Sequence, residues 1–472
     1  MPRTASKDPT VPTRKNVKRV ALINPPYSTH LYTKERRLKS VTPPLGLLYL
    51  HAYCRASTNI KLFDGELYDS YNELITDIER FQPDIIGYTA TTPTYPIAKK
   101  MAEHFSKRCF QIIGGTYATV ADVEVAKHFD AVMRFEGEDA LLEIIQGKDL
   151  HNVQGLTFIE GKSVVRTKDR PLRENLDALP FPSWDIIDFS KYQPSAHRST
   201  GKQFAPIMTS RGCYYNCMYC STKLINGPKV RFRSPENVHH EMKHLKEKFG
   251  ITHFQIWDDT FTLDKKRLKQ LCELFRQLGI IYICNTRPDC ISEEDAKLLA
   301  ESGCRNVFMG VESGDKTILK YYGRTTELSK TRNAFQICHK NSLKTTASYM
   351  IGAPMETEDS LRNTLRFAKS LKSDYVLFNI LTPHKQTRLY YDALQHGLLE
   401  DYNVDIERYI EEPIGIPTIK NKSLDRIKLA RWKMKLYRGY YMRSSYLWQQ
   451  LLKARSIHDL TNIYNIIRTY AK

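Results

Sequence analysis

The feature that most constrains this chain is a tight alternation of short apolar runs with helical stretches near its start. Apolar runs at 19–23, 60–63, 84–88, 110–113 and 131–134 alternate with helical spacing at 44–54, 71–81, 95–106 and 120–128. Strands joined by single helices at this spacing predict a parallel, doubly wound sheet. The runs lead into Asn24-Pro25-Pro26, Asp64-Gly65, Thr89-Ala90-Thr91-Thr92, Gly114-Gly115-Thr116 and Glu136-Gly137-Glu138. In open parallel sheets, ligands bind at these carboxyl ends. Small and hydroxyl residues there let a large planar or phosphate-bearing ligand come close, although such glycines also serve ordinary tight turns. A G-x-G-x-x-G fingerprint is absent after the first run, which disfavours NAD.

A connector follows at 151–200. Runs at 155–158 and 163–166 flank Glu160-Gly161-Lys162 and predict a hairpin. Pro180-Phe181-Pro182-Ser183-Trp184 then reads as a proline-stiffened link.

The chemistry lies further on. An apolar run at 206–209 enters Arg211-Gly212-Cys213-Tyr214-Tyr215-Asn216-Cys217-Met218-Tyr219-Cys220. Seven of the 10 cysteines are scattered, as buried small apolar residues are. The other three form C-x-x-x-C-x-x-C in one loop. A chain this long without a secretory signal is expected to use such thiols as metal ligands rather than disulfides. Three thiolates suit a four-iron cluster with one iron left open. Zinc with His239 or His240 as fourth ligand is the competing metal.

Here the sequence resembles the radical SAM enzymes, whose signature is this cysteine loop after a first strand with an aromatic, here Tyr219, before the last cysteine. Strand candidates follow at 252–257, 281–285, 306–311, 345–351 and 375–380, separated by helical stretches at 236–248, 265–278, 293–302, 330–340 and 359–372. Six such units make the partial barrel of that family, with its active site at the strand C-termini. By resemblance, Asp258 and Asp259 of Trp257-Asp258-Asp259-Thr260-Phe261 hold the amino group of S-adenosylmethionine. Glu312 in Gly310-Val311-Glu312-Ser313-Gly314 meets the ribose hydroxyls, with Ser313 beside it. Gly352 opens Gly352-Ala353-Pro354-Met355-Glu356-Thr357, near adenine, with Met355 in place of the usual glycine.

The resemblance covers nearly the whole chain and narrows to the cobalamin-binding radical SAM proteins. They share the N-terminal doubly wound domain, the P-x-P-x-W linker, Pro25-Pro26, the Pro43-Pro44-Leu45-Gly46 helix start, Gly114-Gly115-Thr116 and Glu136-Gly137-Glu138. The implied cofactors are a [4Fe–4S] cluster on Cys213, Cys217 and Cys220, S-adenosylmethionine, and cobalamin at Pro25, Pro26, Thr89, Thr91, Gly114, Gly115, Thr116 and Glu136. The D-x-H-x-x-G motif that would bind cobalt from below is absent; His30 is the nearby histidine. The expected fold is α/β: a flexible tail (1–15), a Rossmann-like domain (16–150), a linker with hairpin (151–200), a partial (β/α)6 barrel (201–396) and a basic helical region (397–472). The implied activity is reductive cleavage of S-adenosylmethionine to a 5′-deoxyadenosyl radical and C-methylation of an unactivated carbon. The alternative is a non-methylating oxidative cyclase or lipid-modifying enzyme. No individual catalytic residue is assigned.

Charge bears on partners. Lysine plus arginine number 71 against 52 aspartate plus glutamate, a formal charge of +19. Residues 420–472 hold 13 basic and 2 acidic residues, a net of +11. Leu429, Trp432, Leu436 and Tyr440, widened by Ile427, Ala430, Met434, Tyr437 and Tyr441, mark a helix packed on the barrel with a basic outer face. That face would suit an acidic flavodoxin or ferredoxin, an anionic substrate or a lipid headgroup layer. The expected substrate is a small molecule or lipid. Nucleic acid is disfavoured, because an RNA methylthiotransferase would need three further cysteines in a region holding only Cys54 and Cys109. No apolar run reaches membrane-spanning length and the N-terminus lacks a secretory core, so a cytoplasmic enzyme is expected, with peripheral membrane contact as an option.

Overall fold

The computed structural model describes residues 17–27, 41–195, 198, 202–399 and 419–453, with 460, 461, 464, 467 and 468 beyond. The expected tail at 1–15 and His30 lie outside the described residues, as does part of the basic C-terminal region.

The first sheet has seven strands in the order β2-β1-β3-β4-β5-β6-β7. These are β1 (Arg19–Asn24), β2 (Asn59–Asp64), β3 (Ile85–Thr89), β4 (Phe110–Gly114), β5 (Ala131–Met133), β6 (Leu156–Glu160) and β7 (Ser163–Arg166). The first five are parallel; β6 and β7 form the expected hairpin and add antiparallel to β5. Strands 1, 3 and 4 are apolar on both faces because helices cover both. From β1 the chain moves to one side for β2 and to the other for β3. The C-terminal ends of β1 and β3 therefore flank the switch point where such sheets bind ligands. One detail differs from the sequence reading. The helix expected at 120–128 begins earlier, as Thr116–Val120 followed by Asp122–Val125, because Gly115 at φ +96 turns the chain directly off β4.

The second sheet is six parallel strands, β15-β14-β13-β12-β11-β8. The strands are β8 (Phe204–Ile207), β11 (His253–Ile256), β12 (Ile281–Thr286), β13 (Cys304–Glu312), β14 (Lys344–Ile351) and β15 (Tyr375–Ile380). Between β8 and β11, β9 (Ser210–Arg211) and β10 (Arg231–Phe232) pair antiparallel and close the base of the cysteine loop. The helices between strands are amphipathic and well capped. Ser234, Asp264, Ser292 and Thr357 each accept from a backbone N–H of the first turn, and Gly250 and Gly279 close two C-termini in the left-handed region.

The two sheets share a core. Leu45, Leu48 and Tyr49 of the helix Leu45–Cys54 belong to the apolar cluster of the barrel. The linker pins the same junction: Ser183 Oγ lies 2.8 Å from His51 Nδ1, and Trp184 Nε1 donates to Glu241 of the helix Pro235–Phe249 at 2.9 Å.

The sheet is not closed, so β8 and β15 are edges. The free edge of β15 is covered by tyrosine hydroxyls rather than by another strand. Phe378 N donates to Tyr437 (2.9 Å) and Val376 N to Tyr441 (2.8 Å); Tyr440 and Tyr446 donate to Ser373 and Asp374 carbonyls (2.5 and 2.8 Å). Leu429, Trp432, Leu436, Tyr437, Tyr440 and Tyr441 are buried on the helix Arg426–Tyr441 as the spacing predicts. Ile427, assigned to that stripe, instead stays 65 % exposed.

Candidate functional site

A cavity of about 390 Å³ opens at the C-terminal ends of the barrel strands. Its wall includes Cys213, Cys217, Tyr219, Cys220, Asp258, Asp259 and Glu312. The sequence separates these residues by up to a hundred positions; the barrel brings them together because each follows a parallel strand.

The cysteine loop is held by its base. Gly212 takes φ +100, and a Cβ there would lie 2.3 Å from Lys229 O, so only glycine lets the loop leave β9 beside its return strand. Met218 N donates to Tyr322 O at 3.0 Å, and Leu389 N to Met218 O at 2.9 Å, which clamps the middle of the loop. Among the described residues no three His, Cys, Asp or Glu groups converge on a single-ion site. A tetrahedral zinc needs that convergence. A cubane does not, since each thiolate meets a different iron. His239 and His240 sit on the helix Pro235–Phe249, and neither reaches the cavity wall. The zinc alternative is thereby corrected.

Two arginines unforeseen from the sequence flank Cys217. Arg287 Nη1 is 3.6 Å and Arg324 Nη1 3.8 Å from its sulfur. Arg287 is fixed by a two-pronged pair with Asp289 (2.9 and 2.7 Å) and lies 3.5 Å over the Tyr215 ring. Arg324 donates to Gly310 O at 2.6 Å. Their guanidiniums stand where they can offset the negative charge of a cluster held by this loop. Arg287 directly follows β12, two residues past the strand expected at 281–285, and strand-end position was its signal; Arg324 follows Gly323 in a turn and had no such signal.

The acidic residues divide by role. Asp258 is buried and accepts from Thr209 N and Oγ1 (2.7 and 2.5 Å) and from Ser210 N and Oγ (3.0 and 2.6 Å). With four donors on two oxygens it fastens β11 to the chain leaving β8, and its assignment to an amino group is corrected. Asp259 faces the cavity with Thr222 as its partner at 3.2 Å, and burial pushes its pKa up. Glu312 ends β13 at φ +68, where the register against β14 shifts. Its carboxylate passes so close to Gly310 that a Cβ there would lie 2.3 Å from Oε1. Burial raises the Glu312 pKa, opposed by Arg324 and by a hydrogen bond from Tyr219.

Two further assignments do not reach the cavity. Ser313 is buried and its hydroxyl is used by Thr364 and Asp315 N, both at 3.1 Å. Gly352 lies at φ +101 under Leu429. The carboxylate of Glu356 accepts from Gly352 N and Ala353 N, closing that loop from within. Met355 is exposed and lies outside the left-handed region, so the missing glycine carries no strain.

At the first sheet, Thr89 and Gly115 are half-buried and Thr91 and Thr116 exposed around the switch point. Gly115 has no room for a side chain: a Cβ would meet Ala90 O at 2.8 Å. Pro25, Pro26 and Gly114 are buried beneath this shelf. Glu136 is a correction. It accepts from Arg211 (2.6 Å), Arg231 (2.8 Å) and Arg173 N (2.8 Å), while Glu138 accepts from Arg211 (2.9 Å). Arg211 and Arg231 are β9 and β10, so the acidic turn after β5 grips the base of the cysteine loop.

One segment links the first domain, beside the shelf, to the cavity. In the segment after β15, His384 Nδ1 is 3.4 Å from Thr92 Oγ1, Lys385 pairs with Glu124, and Gln386 donates to Val120 O at 2.8 Å. Gln386 and Thr387 of the same segment line the cavity.

Comparison with known proteins agrees with this layout. The radical SAM superfamily matches residues 207–368 and the B12 binding domain residues 36–145. An uncharacterized methyltransferase of Pyrococcus horikoshii is 31 % identical over 468 residues, covering 96 % of this chain and 99 % of that protein. The chain belongs to the cobalamin-binding radical SAM family. Its cofactors are a [4Fe–4S] cluster, S-adenosylmethionine and cobalamin. The anaerobic magnesium-protoporphyrin IX monomethyl ester cyclase of Cereibacter sphaeroides is 25 % identical, covering 90 % of this chain and 71 % of that one. The structure of the radical S-adenosylmethionine methyltransferase TsrM from Kitasatospora setae shares the radical SAM fold with a TM-score of 0.66 at 17 % identity, covering 90 % and 82 %. The chain is a radical SAM enzyme. Among the described residues no helix is long and apolar enough to cross a membrane.

Proposed function

We propose that this radical SAM enzyme is a cytoplasmic C-methyltransferase that takes electrons from a flavodoxin- or ferredoxin-type donor. The observation that carries the reading is the segment at 384–388, which contacts the cobalamin domain at Thr92 and Val120, beside the shelf, and also lines the thiol cavity. A methyl donor held on one side and a radical source on the other would then face one substrate volume. The methyltransferase name of the Pyrococcus horikoshii relative supports it.

Cys213, Cys217 and Cys220 would hold the cluster, with Arg287 and Arg324 offsetting its negative charge. Asp259, accepting from an ammonium, and Glu312, accepting from ribose hydroxyls, would orient S-adenosylmethionine against the open iron. Thr89, Thr91, Gly115 and Thr116 would support cobalamin. When bound, the cluster and S-adenosylmethionine supply a hydrogen-abstracting radical, and cobalamin supplies a transferable methyl group. The chain itself contributes position and exclusion of water.

Metabolites of cells with and without the gene, compared by mass, test the reading. A product heavier by CH₂, labelled when methyl-deuterated methionine is fed, is expected. A product lighter by two hydrogens would replace methylation with ring closure. Purified protein should hold four irons, and the Cys213→Ala/Cys217→Ala/Cys220→Ala variant none; iron retained in that variant would overturn the ligand set.

A further inference from the structure

We infer that the cavity carries an anion subsite, built on Arg198, for a carboxylate or phosphate of the substrate. This deepens the proposed function and rests on it.

Arg198 lines the same cavity as the three cysteines. It reaches the barrel mouth from the end of the linker, and its guanidinium lies 5.3 Å over the ring of Phe308 on β13. Its backbone is fixed, with its N–H bonded to Ser195 O at 2.8 Å and its carbonyl accepting from Gln255 at 3.5 Å. Among the described residues its side chain meets no carboxylate. No carbonyl or hydroxyl among them accepts from the guanidinium, and burial alone acts on it, pulling its pKa down.

The other arginines of the cavity each have an acceptor, Arg388 the Asn216 carbonyl at 3.5 Å. Arg287 has Asp289, and Arg324 has Glu312 and Gly310 O. Lys223 adds a further positive charge to the same cavity. Thr260, which also lines the cavity, has a buried hydroxyl with no hydrogen-bond partner among the described residues. A partly desolvated guanidinium without a counter-charge is costly, and its planar fork matches carboxylate and phosphate oxygens. Phe308 lies beneath it, and Trp257 adds apolar surface to the same cavity. The cavity therefore fits a ligand with an anionic end on an apolar or aromatic body.

Equilibrium dialysis of the reconstituted holoenzyme against 1-naphthoate and 1-naphthalenemethanol tests this, since the two differ mainly in charge. The anion should bind at least tenfold more tightly than the alcohol. Arg198→Gln should remove that preference and Arg198→Lys should retain part of it, with iron and cobalt contents showing that the variants are folded. Equal binding of both probes to the wild type, or an undiminished preference in Arg198→Gln, would overturn the subsite. The wild-type preparation is also assayed for 5′-deoxyadenosine. Its absence there would count against the proposed function, whereas a lost charge preference counts against the subsite alone.

Discussion

At the scale of single residues, the neighbours Asp258 and Asp259 behave as opposites. Both line the cavity, but the first has its oxygens taken by four donors whereas the second meets only Thr222. Asp258→Asn should therefore cost about 2–3 kcal/mol of stability by stranding buried donors. Asp259→Asn should leave the melting temperature nearly unchanged and weaken S-adenosylmethionine binding about tenfold. Thermal unfolding and equilibrium binding on the two variants check the contrast; equal melting losses would refute it. Glu356 gives a pH prediction. Burial pushes its carboxyl up to about 8, while an unfolded glutamate ionises near 4.5. The folded chain then holds a proton that the unfolded chain releases, so this contribution is present below pH 4.5 and is lost as pH rises through 8. The melting temperature should fall between pH 6 and pH 9 in the wild type and fall less in Glu356→Gln; parallel slopes would mean the carboxyl is ionised throughout.

At the scale of elements, the edge of β15 is the unusual solution. An uncovered parallel edge invites pairing with another chain. Here tyrosine oxygens from one helix and its successor serve as donors and acceptors where the next strand's backbone would. Tyr437→Phe and Tyr441→Phe should each cost about 1–2 kcal/mol, because each strands a β15 N–H as well as losing a bond. The double variant should also aggregate at lower temperature, as light scattering during heating would show. Unchanged scattering with lowered stability would mean the edge is guarded by bulk alone.

For the whole molecule, both sheets and the site's location were legible because period and strand-end residues are local signals. The cysteine loop was legible for the same reason. What escaped was partnership across distance. Glu136 looked like a ligand residue because it ends a strand, and only the fold shows Arg211 and Arg231 arriving from far along the chain. The tyrosines of the last helices were read as apolar bulk, since spacing carries no information about where a hydroxyl points. The basic outer face was legible as charge, but not in detail: Lys433 is partly buried with a lowered pKa, whereas Arg431, Lys435 and Arg438 are exposed. Reversing those three to glutamate should slow turnover driven by a flavodoxin-type donor, most at low salt, and leave dithionite-driven turnover unchanged. Equal losses with both reductants would make the face structural.

The tyrosine-covered edge also sets an order of events during biosynthesis. Strand β15 is complete at Ile380, yet its outer hydrogen-bonding groups stay bare until Tyr437, Tyr440, Tyr441 and Tyr446 have been made. Through that interval a nascent barrel already holding its cysteine loop carries a sticky margin. A ribosome stalled there, or a message truncated there, would release a chain primed to pair with its neighbours rather than with itself.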